Sequence, residues 1–352
     1  MNRQFVALSG LAMILIVLNH AVHMSLEFPV ELGYTLVSGW PRFLLTLLQS
    51  FGVFAVPVFL FISGSFVAYA ASAASRTASP ISLKFIWSGL RHILWPYLLW
   101  SVVFYGVIYL QYGQQFSPLG YVKNLLVGYP FHFVPLLMLF YIVSPLIIPL
   151  ARRYGALLLI ATGLVQLALL NIREPGMFLI EFPAFTARLF PPVIGNSFAD
   201  WGIYFPMGLV FGLHARALKP HLLRWRWAFV AATAIIFVLG LLHVQGLVTA
   251  PWARFLCPIP LLFVIPVVER RAIPAVAQLE MVGKRSYGLY LTHLIVIDLL
   301  LVLIRFLFPT LLNYQLLLVP ILFSAGLALP LLLMNLFSQR AQARKVYRYV
   351  FG

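Results

Sequence analysis

Acidic residues are nearly missing from this chain. Eight Asp and Glu stand against 24 Lys and Arg in 352 residues, and charged residues of both signs make up only 9%. A soluble domain spends about a quarter of its residues on charge. This chain therefore cannot cover itself with polar groups and needs lipid as part of its solvent. A single cysteine, Cys257, excludes an internal disulfide and any thiolate metal cluster. No hydrophilic stretch is long enough for a soluble basic domain, so the net charge of +16 does not describe a nucleic-acid binder. No small-x-small cleavage site follows the first apolar run, which reads as a retained span rather than a signal peptide.

What the chain has instead is apolar length. Hydrophobic residues make up 62% of it and the mean hydropathy is +0.98. Runs near the ~20 residues that cross a bilayer recur from end to end. They predict ten helices at 5–24, 43–70, 89–111, 131–150, 155–171, 200–214, 227–246, 252–268, 287–308 and 315–338. "PLGYVKNLLVGYP" adds a short interfacial helix. The expected architecture is an all-α, polytopic integral membrane protein with about ten transmembrane helices, forming a single domain over 1–352.

Eighteen of the 24 basic residues fall in one set of alternate connections. The basic side is cytoplasmic, so both termini are expected inside, in contact with anionic lipid. Glu27, Glu31, Glu174, Glu181 and Asp200 fall toward the opposite side. They are either ordinary solvated groups or a polar outer mouth for a hydroxylated or cationic acceptor.

Ionisable groups inside spans are costly and mark cavities or partners. His20 lies about 22 Å along the first helix at 1.5 Å per residue, in the outer half of the membrane. Neutral imidazole is cheap enough to bury and takes a proton from a hydroxyl near neutral pH. His23, three residues on, shares its face and reads as a supporting or interfacial residue, with Glu27 one turn further. A histidine pair at this spacing with no third ligand nearby argues against a metal. In "FGVFAVPVFLFISGSFVAYA", Pro57 is expected to bend the second helix. Ser63, Gly64 and Ser65 allow close helix contact or offer hydroxyls. Lys84, Arg91 and His92 stand at the cytoplasmic face, as topology signals or as a dock for a phosphate-bearing donor. His293 and Asp298 lie within the ninth span, and His293 is either a satisfied core residue or part of a site. Arg254 opens the eighth span from outside, where it binds an acceptor, pairs with an outer acid or snorkels.

Three stretches in order, "SGLAMILIVLNH", "VPVFLFISGSFVAYA" with "LRHILWPYLLW", and "VGKRSYGLYLTH", resemble the acyltransferase-3 family of membrane acyltransferases. "WGIYFPMGLVFGLH" is similar to a later span of that family, and "FHFVPLLMLFYIVSPLI" looks closest to one branch. That branch contains the intercellular-adhesin polysaccharide protein, described as an exporter and proposed to be an O-succinyltransferase. The resemblance implies a multi-pass enzyme of the bacterial cytoplasmic membrane. It would move an acetyl or succinyl group from cytoplasmic acyl-coenzyme A to a hydroxyl of a glycan or lipid-linked sugar, with no metal. It places catalysis at His20, as general base or transient acyl acceptor, with His23, Glu27 and His293 as candidate supporting residues. Donor binding falls to Lys84, Arg91, His92, Ser63 and Ser65, and the acceptor side to Arg254 and Asp200. Two positions depart from the family pattern: Ser9 stands eleven residues before His20 where arginine is expected, and Arg91–His92 stands near the usual arginine pair. The competing class is a polysaccharide exporter or secondary transporter, which proline-broken helices and buried histidines also suit. Two features weigh against that class: the halves show no clear repeat, and few acids lie within spans to couple ions.

Overall fold

The computed structural model describes residues 3–76, 83–178, 180–339 and 341–352. Every regular element among them is helical. The order is α1 (Arg3–Glu31), α2 (Gly39–Ser50), α3 (Ala55–Arg76), α4 (Leu83–Tyr112), α5 (Pro118–Val127), α6 (Phe133–Arg173), α7 (Gly195–Trp201) and α8 (Tyr204–Val244). Then follow α9 (Ala253–Leu256), α10 (Pro258–Val264), α11 (Val276–Gly283), α12 (Ser286–Leu307), α13 (Gln315–Gln339) and α14 (Ala341–Val350). Among the described residues seven helical segments are long and apolar enough to cross a membrane, and the shorter run Ala253–Val267 is also apolar. The chain is an all-α polytopic membrane protein.

Local chemistry explains where the helices stop. In α5, Ser117 accepts from the Gly120 amide at 3.1 Å, Pro118 occupies the first turn, and Gly128 ends the helix at φ 90°. α6 and α8 each run 41 residues. Straight helices of that length would extend about 60 Å, twice the hydrocarbon thickness. Each is broken by one non-helical residue, Tyr154 in α6 and His214 in α8. These breaks fall where the sequence predicts separate spans. The two breaks also meet: the His214 ring Nε2 lies 2.9 Å from the Ala151 carbonyl, a backbone group beside the break in α6.

The expected bend in the second span takes the form of a 3₁₀ turn at Phe51–Phe54. Pro57 follows in the first turn of α3 and has no amide hydrogen for the Val53 carbonyl four residues back, which lies inside that turn.

Contacts divide the chain into two compact units. One holds Val56–Arg91 and Ser117–Ile273; the other holds Asn2–Ala55, His92–Phe116 and Pro274–Gly352. In the first unit α3 and α8 meet through glycines. A Cβ on Gly64 would stand 2.2 Å from the Phe205 carbonyl oxygen, and one on Gly208 would stand 1.8 Å from that of Phe61. Phe140 stacks on Phe205 with ring centroids 4.7 Å apart.

In the second unit α1 packs on α2, α11, α12 and α13. α11 lies against the first turns of α1, where a Cβ on Gly10 would stand 2.0 Å from the Leu279 carbonyl oxygen and one on Gly283 would stand 1.8 Å from that of Val6. Val22, Leu26, Leu45 and Val319 form an apolar cluster near the far end of α1. The buried Gln315 at the start of α13 accepts from the Val37 amide and donates toward the Thr35 and Leu312 carbonyls, which pins the loop after α1. Phe351 is buried, and the Trp100 indole donates to the Val350 carbonyl at 2.7 Å.

Candidate active site

The second unit brings together two histidines that stand 273 positions apart in the sequence. The rings of His20 on α1 and His293 on α12 have centroids 5.2 Å apart and are tilted by 49°. On α1, Gly10 precedes His20 by ten residues, so the histidine contact lies about 15 Å beyond the glycine crossing. On the other side Gly283 closes α11, and the chain turns at Lys284–Arg285 into α12, which carries His293.

His293 is fully buried. Its Nδ1 lies 3.0 Å from the Leu289 carbonyl one turn back. A carbonyl oxygen only accepts, so Nδ1 carries the proton in the neutral ring. The lone pair is then at Nε2, which is buried with no hydrogen-bond partner among the described residues. An unmade hydrogen bond of this kind costs about 1–3 kcal/mol, and such groups call for a specific explanation. A ring locked in one tautomer, with its acceptor nitrogen held dry beside a second imidazole, is a suitable acceptor for a proton or for an N–H.

Two further residues frame the pair. Tyr290, one turn before His293, has its ring centroid 5.9 Å from that imidazole. Asn19, the neighbour of His20, donates from Nδ2 to the Gln49 carbonyl at 2.9 Å. That carbonyl lies at the end of α2 just before the 3₁₀ turn, and Gly52 approaches so closely that a Cβ there would stand 2.4 Å from the same Nδ2. Neither residue carries a motif signal of its own. Their signal is spacing: Tyr290 is three residues before one histidine, and Asn19 is directly before the other. Asn19→Ala removes one hydrogen bond and leaves a small void, so we expect a loss of about 1–2 kcal/mol, read as a lower melting temperature. Asn19→Gln, which keeps the amide, is expected to recover part of that loss.

The other predicted residues are distributed more widely. His23 pairs with Glu27 at 2.8 Å on the exposed face of α1, each side chain about half accessible. This is the interfacial role rather than a contact with the reacting centre. Ser65 is buried in the α3–α8 contact, its hydroxyl 2.9 Å from the Phe61 carbonyl and 3.1 Å from the Gly208 carbonyl. Ser63 is half-buried on the same helix. Arg91 is exposed and His92 half-buried in α4, while the Lys84 side chain lies outside the described residues. Asp200 pairs with Arg173 at 2.6 Å, and Arg254 pairs with Glu174 at 2.7 Å, with Arg173 also 3.4 Å from Glu174. Arg254 and Asp200 thus serve an ion-pair network in the first unit, over a cluster of Leu169, Leu170, Met177, Ala199 and Phe255. Ser9 is buried, and its hydroxyl donates to the Phe5 carbonyl at 3.0 Å. It directly precedes Gly10 of the α11 crossing, and its small side chain satisfies itself on its own helix. Among the described residues no group of three His, Cys, Asp or Glu stands close enough to hold a metal ion.

The profile of a family described as "Acyltransferase domain", acyltransferase-3, matches residues 7–335. The chain belongs to the acyltransferase-3 family. No curated protein and no solved structure matches it. The matched span contains both histidines, both glycines of the α1–α11 crossing and all the predicted site residues. The protein is thus a multi-pass membrane acyltransferase by family.

Proposed function

We propose that the protein transfers an acetyl or succinyl group from cytoplasmic acyl-coenzyme A to a hydroxyl of a cell-surface or exported glycan, free or lipid-linked, across the bacterial cytoplasmic membrane. The observation that carries this reading is the buried His20–His293 contact inside a domain of the acyltransferase-3 family. The internal breaks of the two 41-residue helices support ten crossings, and the basic bias of alternate connections supports cytoplasmic termini for one functional domain over 1–352.

In this mechanism His20 is the general base. It takes the proton of the acceptor hydroxyl as the oxygen attacks the thioester carbonyl. The carbon–sulfur bond breaks, the acyl group is left on the acceptor oxygen, and the proton passes to the coenzyme A thiolate. A base of this kind contributes about 10²–10⁴-fold. His293 acts through His20: its Nε2 lone pair receives the N–H of the imidazolium that forms, as an orienting partner does in other base-activated sites. The basic cytoplasmic residues Lys84, Arg91 and His92 attract the donor's phosphates, and Ser63 and Ser65 on the preceding helix offer hydroxyls to the donor.

The test is an isotope transfer. Purified protein in proteoliposomes is given acyl-coenzyme A labelled in the acyl group on the cytoplasmic side and an oligosaccharide acceptor on the other. Label is expected on the acceptor, with one free thiol released for each acyl group moved. Export of unmodified glycan with no consumption of donor would replace this reading with that of a transporter.

A further inference from the structure

Asp298 is the one acidic side chain that α12 buries, and neither the mechanism above nor the family assignment uses it. It is 6% exposed and stands five residues beyond His293. No lysine or arginine bonds to it among the described residues. Its partner is the Tyr112 hydroxyl at the end of α4, at a long 3.5 Å. Gln111 lies beside the carboxylate. Both polar atoms of the Gln111 amide are buried, with no hydrogen-bond partner in good geometry among the described residues. Glu31 at the end of α1 and Arg305 further along α12 are the charged groups within electrostatic reach of Tyr112. A carboxylate, an amide and a phenol thus converge with most of their hydrogen-bonding capacity unused. Buried polar groups are normally satisfied, and a carboxylate held without a cation is costly.

That donor and acceptor set matches sugar hydroxyls. A carboxylate accepts from two hydroxyls, the amide both donates and accepts, and the phenol does either. Position decides what part of the sugar it meets. Five residues along a helix are about 7.5 Å and about 140° of rotation. Asp298 therefore faces α4 while His293 faces α1, and it cannot touch the hydroxyl that His20 deprotonates. We infer that Asp298, Gln111 and Tyr112 form a flanking subsite that binds the hydroxyls of a neighbouring sugar unit of a neutral oligosaccharide acceptor. Binding energy gathered away from the reacting atoms holds the acceptor hydroxyl in place for attack. The inference takes from the acyl-transfer reading the fate of the bound acceptor, while the binding itself needs no donor.

The experiment separates the two. Maltotetraose and chitotetraose are titrated into the full-length protein in lipid nanodiscs without donor, for the wild type, Asp298→Asn and Gln111→Ala. Saturable binding of at least one probe is expected, weakened at least tenfold by each substitution. Asp298→Asn removes a buried charge while keeping its shape, so it is expected to melt no lower than the wild type. In acyl transfer the same variant is expected to raise the KM for acceptor at least tenfold and leave the KM for donor unchanged. No saturable binding to the wild type, unchanged binding in both variants, or a lowered melting temperature of Asp298→Asn overturns the subsite. Binding that depends on Asp298 in a protein that transfers no acyl group keeps the subsite and removes the acyl-transfer reading instead.

Discussion

His20→Ala is expected to lower acyl transfer by about 10²–10⁴-fold, the usual contribution of a positioned general base, while the protein melts within a few degrees of the wild type. His20 is half-buried rather than part of the close-packed interior, so truncation removes chemistry more than packing. Full transfer by a folded His20→Ala protein would remove His20 from the mechanism. His293→Leu separates the two rings' roles because it moves activity and stability in opposite directions. Leucine fills the volume and removes the orphaned Nε2, so the melting temperature is expected to hold or rise by the equivalent of about 1–3 kcal/mol. The rate is expected to fall on the order of tenfold, less than for His20, because the base itself remains. A clear fall in melting temperature for His293→Leu would make that ring a packing residue. A gain in stability with a loss of rate is the trade-off expected of a group that is strained for function.

How much of this was open to reading in the sequence differs between fold and site. Lipid-facing composition and apolar run length determine the class of fold directly, because a chain with 9% charge has no other way to be solvated. The interruptions inside α6 and α8 were also legible, since Arg152–Arg153 and the basic stretch after His214 interrupt the apolar pattern. The 3₁₀ turn at Phe51–Phe54 was legible in part, since Pro57 has no amide hydrogen for the Val53 carbonyl within it. What packs there was not: Asn19 on another helix takes the Gln49 carbonyl and leaves room only for Gly52.

For the site, depth and the family pattern both single out His20, and His23 resolves into a surface pair with Glu27. That His293 would be its neighbour needed a tertiary contact. Arg254 and Asp200 attract attention as charges in an apolar chain, yet each finds an opposite charge in the first unit. Ser9 is explained only by what packs around it. The sequence shows a missing arginine, and the structure shows a buried position next to a glycine crossing.

That crossing carries the second large prediction. Gly10→Ala and Gly283→Ala each place a methyl group about 2 Å from a backbone carbonyl oxygen, at 2.0 and 1.8 Å respectively. Backbone cannot rotate out of the way as a side chain can, so α1 and α11 must separate. Overpacking of this kind costs about 1–3 kcal/mol and occasionally more. The consequence for activity is expected to exceed the consequence for stability. Gly10 and His20 share α1, and Gly283 leads through the short turn at Lys284–Arg285 into α12, so a displacement at the crossing is passed to the His20–His293 contact. A shift of about 1 Å at a reacting centre can cost 100-fold in rate. Each variant is therefore expected to retain its helical circular dichroism, melt lower and lose about 100-fold in transfer. Gly106→Ala supplies the control. Gly106 also lies within a helix, α4, but its added Cβ meets nothing within 4 Å. There, alanine is expected to be neutral or to stabilise by up to about 1 kcal/mol with the rate unchanged. Equal losses at all three glycines would mean that the crossing does not govern the loss. Effects confined to Gly10 and Gly283 would identify a packing contact at one end of α1 as what sets the geometry of the base about 15 Å away.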